Sequence, residues 1–354
     1  MAEHAPNCHL FLVHSHATYH CALGVMEAEG LAPGACVMVL SRGFRCGDLP
    51  PGARTATLSR IGEPNLNTAR RIARGRLDLP TRDAEVSSLT GDKAFHCYLP
   101  HTYFDFAHLL VTHRRCAEFS YLEEGLTSYY RPGEIDKAYP PWRFTARARA
   151  LRRLLFGGRL PEATGFFREG YRTAYGCGAE AFPGWPRTKT LGLRHLLPPS
   201  PAGERPAHPP MLIFDALVEL GRTSAAALAA AIDEFLTRLA AAGVRELCYK
   251  YHPTQSADGS IRAVDEVFAR HQPRLRAVGL ESGVALEELF ARTRVDLYVF
   301  NSAAGLYGAL AGQRVVSLNP LLERIDPPYA RTTAVLPDIY HALVKGIDRN
   351  GDLP

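Results

Sequence analysis

Residues 8–40 read CHLFLVHSHATYHCALGVMEAEGLAPGACVMVL, and the fold follows from this stretch. CHLFLV (8–13) is a compact apolar run of strand length. YHCALGVMEAEG (19–30) is helix-like and stops at Gly30, and ACVMVL (35–40) is a second apolar run. Strand, helix and strand in so short a span is the grammar of a βαβ unit. The pattern continues with AFHCYLP (94–100) as a strand and TYFDFAHLLVTHRR (102–115) as a helix, with Thr102 as its N-cap. CAEFSYL (116–122) then returns to strand. Such alternation predicts a mostly parallel sheet covered by helices on both faces.

Residues 196–210, LLPPSPAGERPAHPP, hold six prolines and one glycine in fifteen residues, a composition that no packed element tolerates. After it the grammar restarts. MLIFDAL (211–217), RELCYKY (245–251), LRAVGL (275–280), VDLYVF (295–300) and RVVSL (314–318) read as strands. SAAALAAAIDEFLTRLAAAG (224–243), SIRAVDEVFARHQ (260–272), LEELFART (286–293) and AAGLYGALAG (303–312) read as helices. The expectation is two α/β domains, residues 1–197 and 211–354, joined by a proline-rich linker at 198–210, with ligands in a cleft between them.

Composition agrees. A chain of 354 residues is too long for one ordinary core. Its 46% apolar and 22% charged residues are the balance of a globular protein. No apolar stretch approaches the roughly 20 residues needed to span a bilayer. The start, MAEHAPNCHLFLVHSH, lacks the basic segment and long apolar core of a secretory signal, so a cytoplasmic chain is expected. None of the eight cysteines stands in a C-x-x-C pair, which points to buried thiols rather than a disulfide framework or a zinc site.

The polar residues are informative by position, because open α/β sheets bind ligands beyond the carboxyl ends of their strands. In SYLEEGLTSYY (120–130), Glu123, Glu124 and Gly125 follow such a strand. The pair is either a solvated turn or an acid–base centre, in which adjacency would raise a carboxyl pKa. In YKYHPTQ (249–255), Pro253 holds His252 extended, either as a surface cap or as a donor to a departing phosphate. His208-Pro209 is the same dipeptide, but it follows no strand. In YVFNSAAGLYGALAG (298–312), Asn301, Ser302 and Ala303 open a helix of small residues, as plain N-capping or as an anion seat. Glu287 and Glu288 in GVALEELF (283–290) suit a helix dipole or a ligand. His14 and His16 form an H-x-H pair without a matching cluster, so no metal site is expected. There is no P-loop signature.

In order and placement, LEEG (122–125), KYHP (250–253) and FNSAAG (300–305) resemble the marker motifs of bacterial GT-B sialyltransferases, in particular the lipooligosaccharide sialyltransferase and capsular polysialyltransferase groups. VALEELF (284–290) is similar to a further segment of that superfamily, with Ala285 where relatives carry proline. The resemblance implies a GT-B fold of two Rossmann-like domains, with the first carrying the general base and the second holding a CMP-sugar. It implies inverting, metal-independent transfer of sialic acid from CMP-sialic acid to a hydroxyl of a cell-surface glycan acceptor. Carried over, Glu124 is the base with Glu123 as its tuner or anchor. His252, with Pro253, meets the CMP phosphate and assists its departure. Asn301, Ser302 and the amide of Ala303 hold that phosphate, and Glu287 binds the ribose. CMP-Kdo would present similar groups, so a Kdo transferase is the alternative within enzymes. A non-catalytic glycan-binding or assembly protein is the alternative outside them.

The net charge of +5 is concentrated. RFTARARALRRLLFGGR (143–159) carries six arginines and no acid, with Leu151, Leu154 and Leu155 at helical spacing. The segment is either a solvated helix packed on its domain or a surface for anionic lipid or glycan on the inner face of the membrane. No aromatic-basic motif points to nucleic acid.

Overall fold

A computed structural model gives two compact units, residues 1–196 and 197–354. The structure describes residues 8–57 except 46 and 48, residues 79–159 except 140, 141 and 144, residues 163–197, and residues 206–347 except 282.

In the first unit the elements run β1 (Cys8–Val13), α1 (His16–Ala28), β2 (Cys36–Leu40), β3 (Arg54–Ala56), α2 (Leu79–Thr90), β4 (Phe95–Leu99), α3 (Asp105–Val111), β5 (Cys116–Leu122), α4 (Ala146–Leu155), β6 (Ala174–Gly176) and β7 (Thr188–Thr190). These seven strands form one sheet in the order β3-β2-β1-β4-β5-β6-β7, every pair parallel, and Trp142–Arg143 pairs antiparallel with Ala163–Thr164 apart from it. β1 sits between β2 and β4, with Leu10 opposite Val37 on one side and Cys97 on the other. Burial on both faces explains its unbroken apolar run: Leu10, Phe11, Leu12 and Val13 are all buried.

The second unit contains β8 (Met211–Ile213), α5 (Ala225–Ala241), β9 (Glu246–Lys250), α6 (Arg262–His271), β10 (Arg276–Gly279), α7 (Leu286–Arg292), β11 (Asp296–Val299), α8 (Ala303–Leu310), β12 (Arg314–Ser317), α9 (Asn319–Ile325), α10 (Asp338–Leu343) and β13 (Lys345–Gly346). Its six parallel strands follow β10-β9-β8-β11-β12-β13, the doubly wound order of the first sheet over again. Leu212, Phe214, Phe235, Leu236, Tyr298 and Phe300 lie in its core. Gly308 lets α8 lie directly on β11, since a Cβ there would meet Leu297 Cδ1 at 2.2 Å.

Local chemistry sets the boundaries. Ser15 caps α1: its hydroxyl accepts from the Thr18 amide, and Thr18 Oγ1 accepts in return from the Ser15 amide. α1 ends on Gly30, whose φ of +60° suits the left-handed residue after a helix.

Several expectations shift. α3 begins at Asp105 with no side-chain cap, and Thr102 is instead buried, bonding to the Phe166 carbonyl and facing the Tyr121 hydroxyl at 3.4 Å. The strand expected at 211–217 stops at Ile213, before Asp215. On α4 the expected apolar face does not pack down at Leu154, which is 79% exposed. The proline-rich linker expected at 198–210 lies outside the described residues as far as 205. From Pro206 onward the chain pairs with Arg294, through Arg294 N to the Pro206 carbonyl and His208 N to the Arg294 carbonyl.

Candidate functional site

In each sheet the chain reverses its direction of winding beside the central strand, and the carboxyl ends there form the switch point where doubly wound folds bind ligands. In the first unit this places three neighbours together: His14 after β1, His101 after β4 and Glu124 after β5.

Glu124 is the centre of the group. His14 Nε2 is hydrogen-bonded to Glu124 Oε1. His101 Nε2 lies 3.4 Å from Oε2, and the Arg42 guanidinium is 3.7 Å from Oε1. Arg42 reaches there from a turn in which its φ is +54°, with its guanidinium 5.1 Å from the centre of the Phe104 ring. Burial by itself would raise the Glu124 carboxyl. His14 and His101, the His14 hydrogen bond and Arg42 outweigh it and hold the group down to about 2. Glu124 is therefore ionised, contrary to the raised pKa expected for a carboxylate pair. His101, packed edge-on against Phe104 and Phe166, is pushed by burial to about 3 against the pull of Glu124, and so stays neutral.

Glu123 has a different set of partners, which is why the pair does not behave as one site. Its carboxylate accepts from the Tyr129 hydroxyl at 2.7 Å and from the amides of Cys177 and Gly178 at 2.6 and 3.2 Å, and the residue is 1% exposed. Gly178 allows this packing, since a Cβ there would meet the Tyr129 hydroxyl at 2.9 Å. Glu123 ties β5 to the strand beside it. Gly125, at φ +51°, turns the chain away immediately after Glu124.

A surface cavity of about 530 Å³ is lined by Glu118, Tyr171, Arg172 and Arg187. It lies toward the amino ends of β5 and β6, the opposite end from Glu124.

In the second unit, His252 follows β9 and Asp215 follows β8. His252 Nδ1 is 2.8 Å from Thr254 Oγ1, and the His252 amide donates to Gln255 Oε1 at 2.7 Å. Gln255 donates to Ser260, whose amide and hydroxyl donate in turn to Glu219, so a chain of polar contacts holds the His252 loop. Burial raises the Asp215 carboxyl, and the neighbouring His252 opposes that rise. Pro253 is exposed at the rim.

Ser302 caps α8 and accepts from the Ala304 amide at 3.2 Å; Ala303 opens the helix. Asn301 is buried, and its Oδ1 accepts from Asn319, whose own Oδ1 accepts from Tyr329. Glu287 opens α7. Burial raises its carboxyl, while Lys250 pulls the other way. The Lys250 ammonium also donates to the carbonyls of Val284 and Glu281, fixing the loop that leads into α7.

The sequence reading passed over His101, Arg42, Asp215 and Lys250, and it weighed His14 only as a metal ligand. Asp215 and Lys250 each carried a signal, a charge inside an apolar run. Among the described residues no three His, Cys, Asp or Glu side chains form a group able to hold a metal ion. No described helix is long and apolar enough to cross a membrane.

Two parallel sheets of one doubly wound order in a single chain define the GT-B class of fold. No family model matches the chain, and no curated protein matches it in sequence. Among solved structures it is similar to a candidate UDP-N-acetylglucosamine 2-epimerase of Listeria monocytogenes, at 9% identity over 96% of this chain and 94% of that one, with a TM-score of 0.52. More distant likenesses include a glycosyltransferase of Rickettsia africae ESF-5 (9% identity, 89% and 79% covered, TM-score 0.41). Another is HepE of Anabaena in complex with UDP-glucose (11% identity, 87% and 79% covered, TM-score 0.41). At these identities the likeness is one of fold.

Proposed function

We propose that this chain is an inverting glycosyltransferase that moves sialic acid from CMP-sialic acid to a hydroxyl of a cell-surface glycan, lipooligosaccharide or capsule, without a required metal. The observation that carries the reading is the Glu124 centre. An ionised carboxylate is fixed by a histidine at the carboxyl ends of parallel strands, on a chain whose three motifs stand in the sialyltransferase order.

On this reading the acceptor hydroxyl loses its proton at the Glu124 centre as its oxygen bonds to the anomeric carbon. The bond from that carbon to the phosphate oxygen breaks, and the electron pair leaves with CMP. His252, held by Thr254, meets the phosphate, and the opening amides of α8 with Ser302 and Asn301 share its charge. Glu287 takes the ribose hydroxyls, and Lys250 fixes the loop beside it. The Arg147, Arg149 and Arg153 side chains, exposed on α4 beside Leu151 and Leu154, form a peripheral contact for an anionic membrane.

The test is a panel of CMP-sialic acid, CMP-Kdo, UDP-sugars and dTDP-sugars, run with a sialylatable oligosaccharide in EDTA and followed by product NMR. Transfer from CMP-sialic acid with inversion is expected. Turnover of UDP-sugars alone would remove the reading. Transfer from CMP-Kdo alone would select the Kdo alternative, and cellular function that survives Glu124→Gln and His252→Ala would select the non-catalytic one.

A further inference from the structure

The Glu124 centre contains a second proton acceptor beside the carboxylate. A carboxylate can only accept, so His14 Nε2, hydrogen-bonded to Glu124 Oε1, must carry its hydrogen. In neutral His14 the lone pair then lies on Nδ1, which has no hydrogen-bond partner among the described residues. The ring is placed from the backbone outward: the His14 amide donates to Thr18 Oγ1 at 3.1 Å, inside the box that caps α1. Carboxylate, Nε2–H and unpartnered Nδ1 are the three parts of a carboxylate–histidine base.

We propose that the base of the transfer step is the His14 imidazole, acting through Nδ1, and that Glu124 is its positioning residue. The assignment rests on the glycosyltransferase reading above and goes beyond it in naming the atom that takes the proton. In the step, the acceptor O–H proton moves to His14 Nδ1 and the freed oxygen pair forms the bond to the anomeric carbon. The phosphate leaves with the pair from the broken bond. The imidazolium is stabilised by Glu124 through the unbroken Nε2–H bond and returns its proton to water after turnover.

Two features of the surroundings favour His14 over the other groups. Glu124 Oε1 is taken up by His14 Nε2 and Oε2 is buried beside His101, so neither oxygen is open to a sugar hydroxyl. His101, driven by burial to about 3 and flanked by two phenylalanine rings, is a weak base whose Nδ1 is buried. Arg42 completes the charged groups facing Glu124, and being a permanent cation it offers no lone pair.

The experiment measures transfer and nucleotide affinity for the full chain and for His14→Ala and His14→Gln, each with and without added imidazole. Loss of a general base lowers kcat by roughly 10²–10⁴-fold. Both variants are expected to lose kcat in that range and to bind CMP within threefold of the parent. Millimolar imidazole is expected to restore part of the rate to His14→Ala, but not to the filled site of His14→Gln. A merely structural histidine would not give that rescue. His14→Ala turning over within threefold of the parent overturns the assignment and leaves the glycosyltransferase reading standing. So does a loss in His14→Ala that imidazole does not lift while His14→Gln melts at the parental temperature. A parent that transfers from no activated sugar removes both.

Discussion

At the scale of single residues, adjacent Glu123 and Glu124 do opposite work. Glu123 is a buried anchor with three donors and Glu124 a charged centre flanked by histidines. Glu123→Ala strands the Tyr129 hydroxyl and the Cys177 and Gly178 amides without their acceptor. Hydrogen bonds to a charged group are worth about 1.5–3 kcal/mol each, so unit 1 is expected to lose at least ~3 kcal/mol. Thermal melts should show this as a fall of several degrees, with the transition of unit 2 unmoved. An unchanged melt would mean that the three contacts hold nothing. On the donor side, His252→Ala is expected to slow turnover by about 10²-fold while His208→Ala does nothing, because only His252 follows a strand. Equal effects would show that the strand-end position has no significance.

At the scale of elements, the sequence made visible those strands that are buried on both faces. In β1, β4, β5, β9 and β11 most residues are apolar, and a polar residue of the site follows each within two positions. The short strands β6 and β7 gave no such signal. β7, Thr188–Thr190, is exposed along its whole length, and β6 is only Ala174–Gly176. Both owe their strand conformation to a neighbour supplied by the fold. The partners of Glu124 were hidden for a related reason. His14, Arg42 and His101 come from three other connections, and it is strand order, not spacing in the chain, that brings them to one carboxylate. Thr102 looked like a cap because Thr before an apolar run usually is one, whereas here its hydroxyl serves the Phe166 carbonyl. Helix α4 shows the reverse case, a pattern plain in sequence whose Leu151 and Leu154 face solvent. Sedimentation with phosphatidylglycerol vesicles is expected to carry the protein down at low salt and release it at high salt, with Leu154→Glu abolishing the effect. Equal sedimentation with neutral phosphatidylcholine vesicles would contradict the electrostatic part of that contact.

At the scale of the whole molecule, the two units are expected to respond differently to acid. His96 and His101, both in unit 1, are each driven by burial to about 3, against about 6.5 in an unfolded chain. Below 6.5 the unfolded chain binds protons that the folded unit refuses, so stability falls as pH falls. Each histidine contributes about 1.4 kcal/mol per pH unit. Glu124 adds to the loss below its unfolded value near 4.5, as pH falls toward about 2. Between pH 6.5 and 4.5 the two histidines together should remove roughly 5 kcal/mol from unit 1. Both tryptophans, Trp142 and Trp185, belong to that unit, so urea melts followed by tryptophan fluorescence report on it selectively. A midpoint that stays constant over this range would show that the two rings are not held neutral by burial.

The role of Glu124 is tested by comparing the parent with Glu124→Gln, using CMP-sialic acid as donor in EDTA. The comparison takes kcat from product formation and Kd for CMP from titration calorimetry. The expected result is a fall in kcat of about 10²-fold or more with Kd changed by less than threefold, since Glu124 serves the proton and unit 2 the nucleotide. A Glu124→Gln protein that transfers sialic acid at the parental rate, or that loses CMP affinity in step with its rate, would contradict that role.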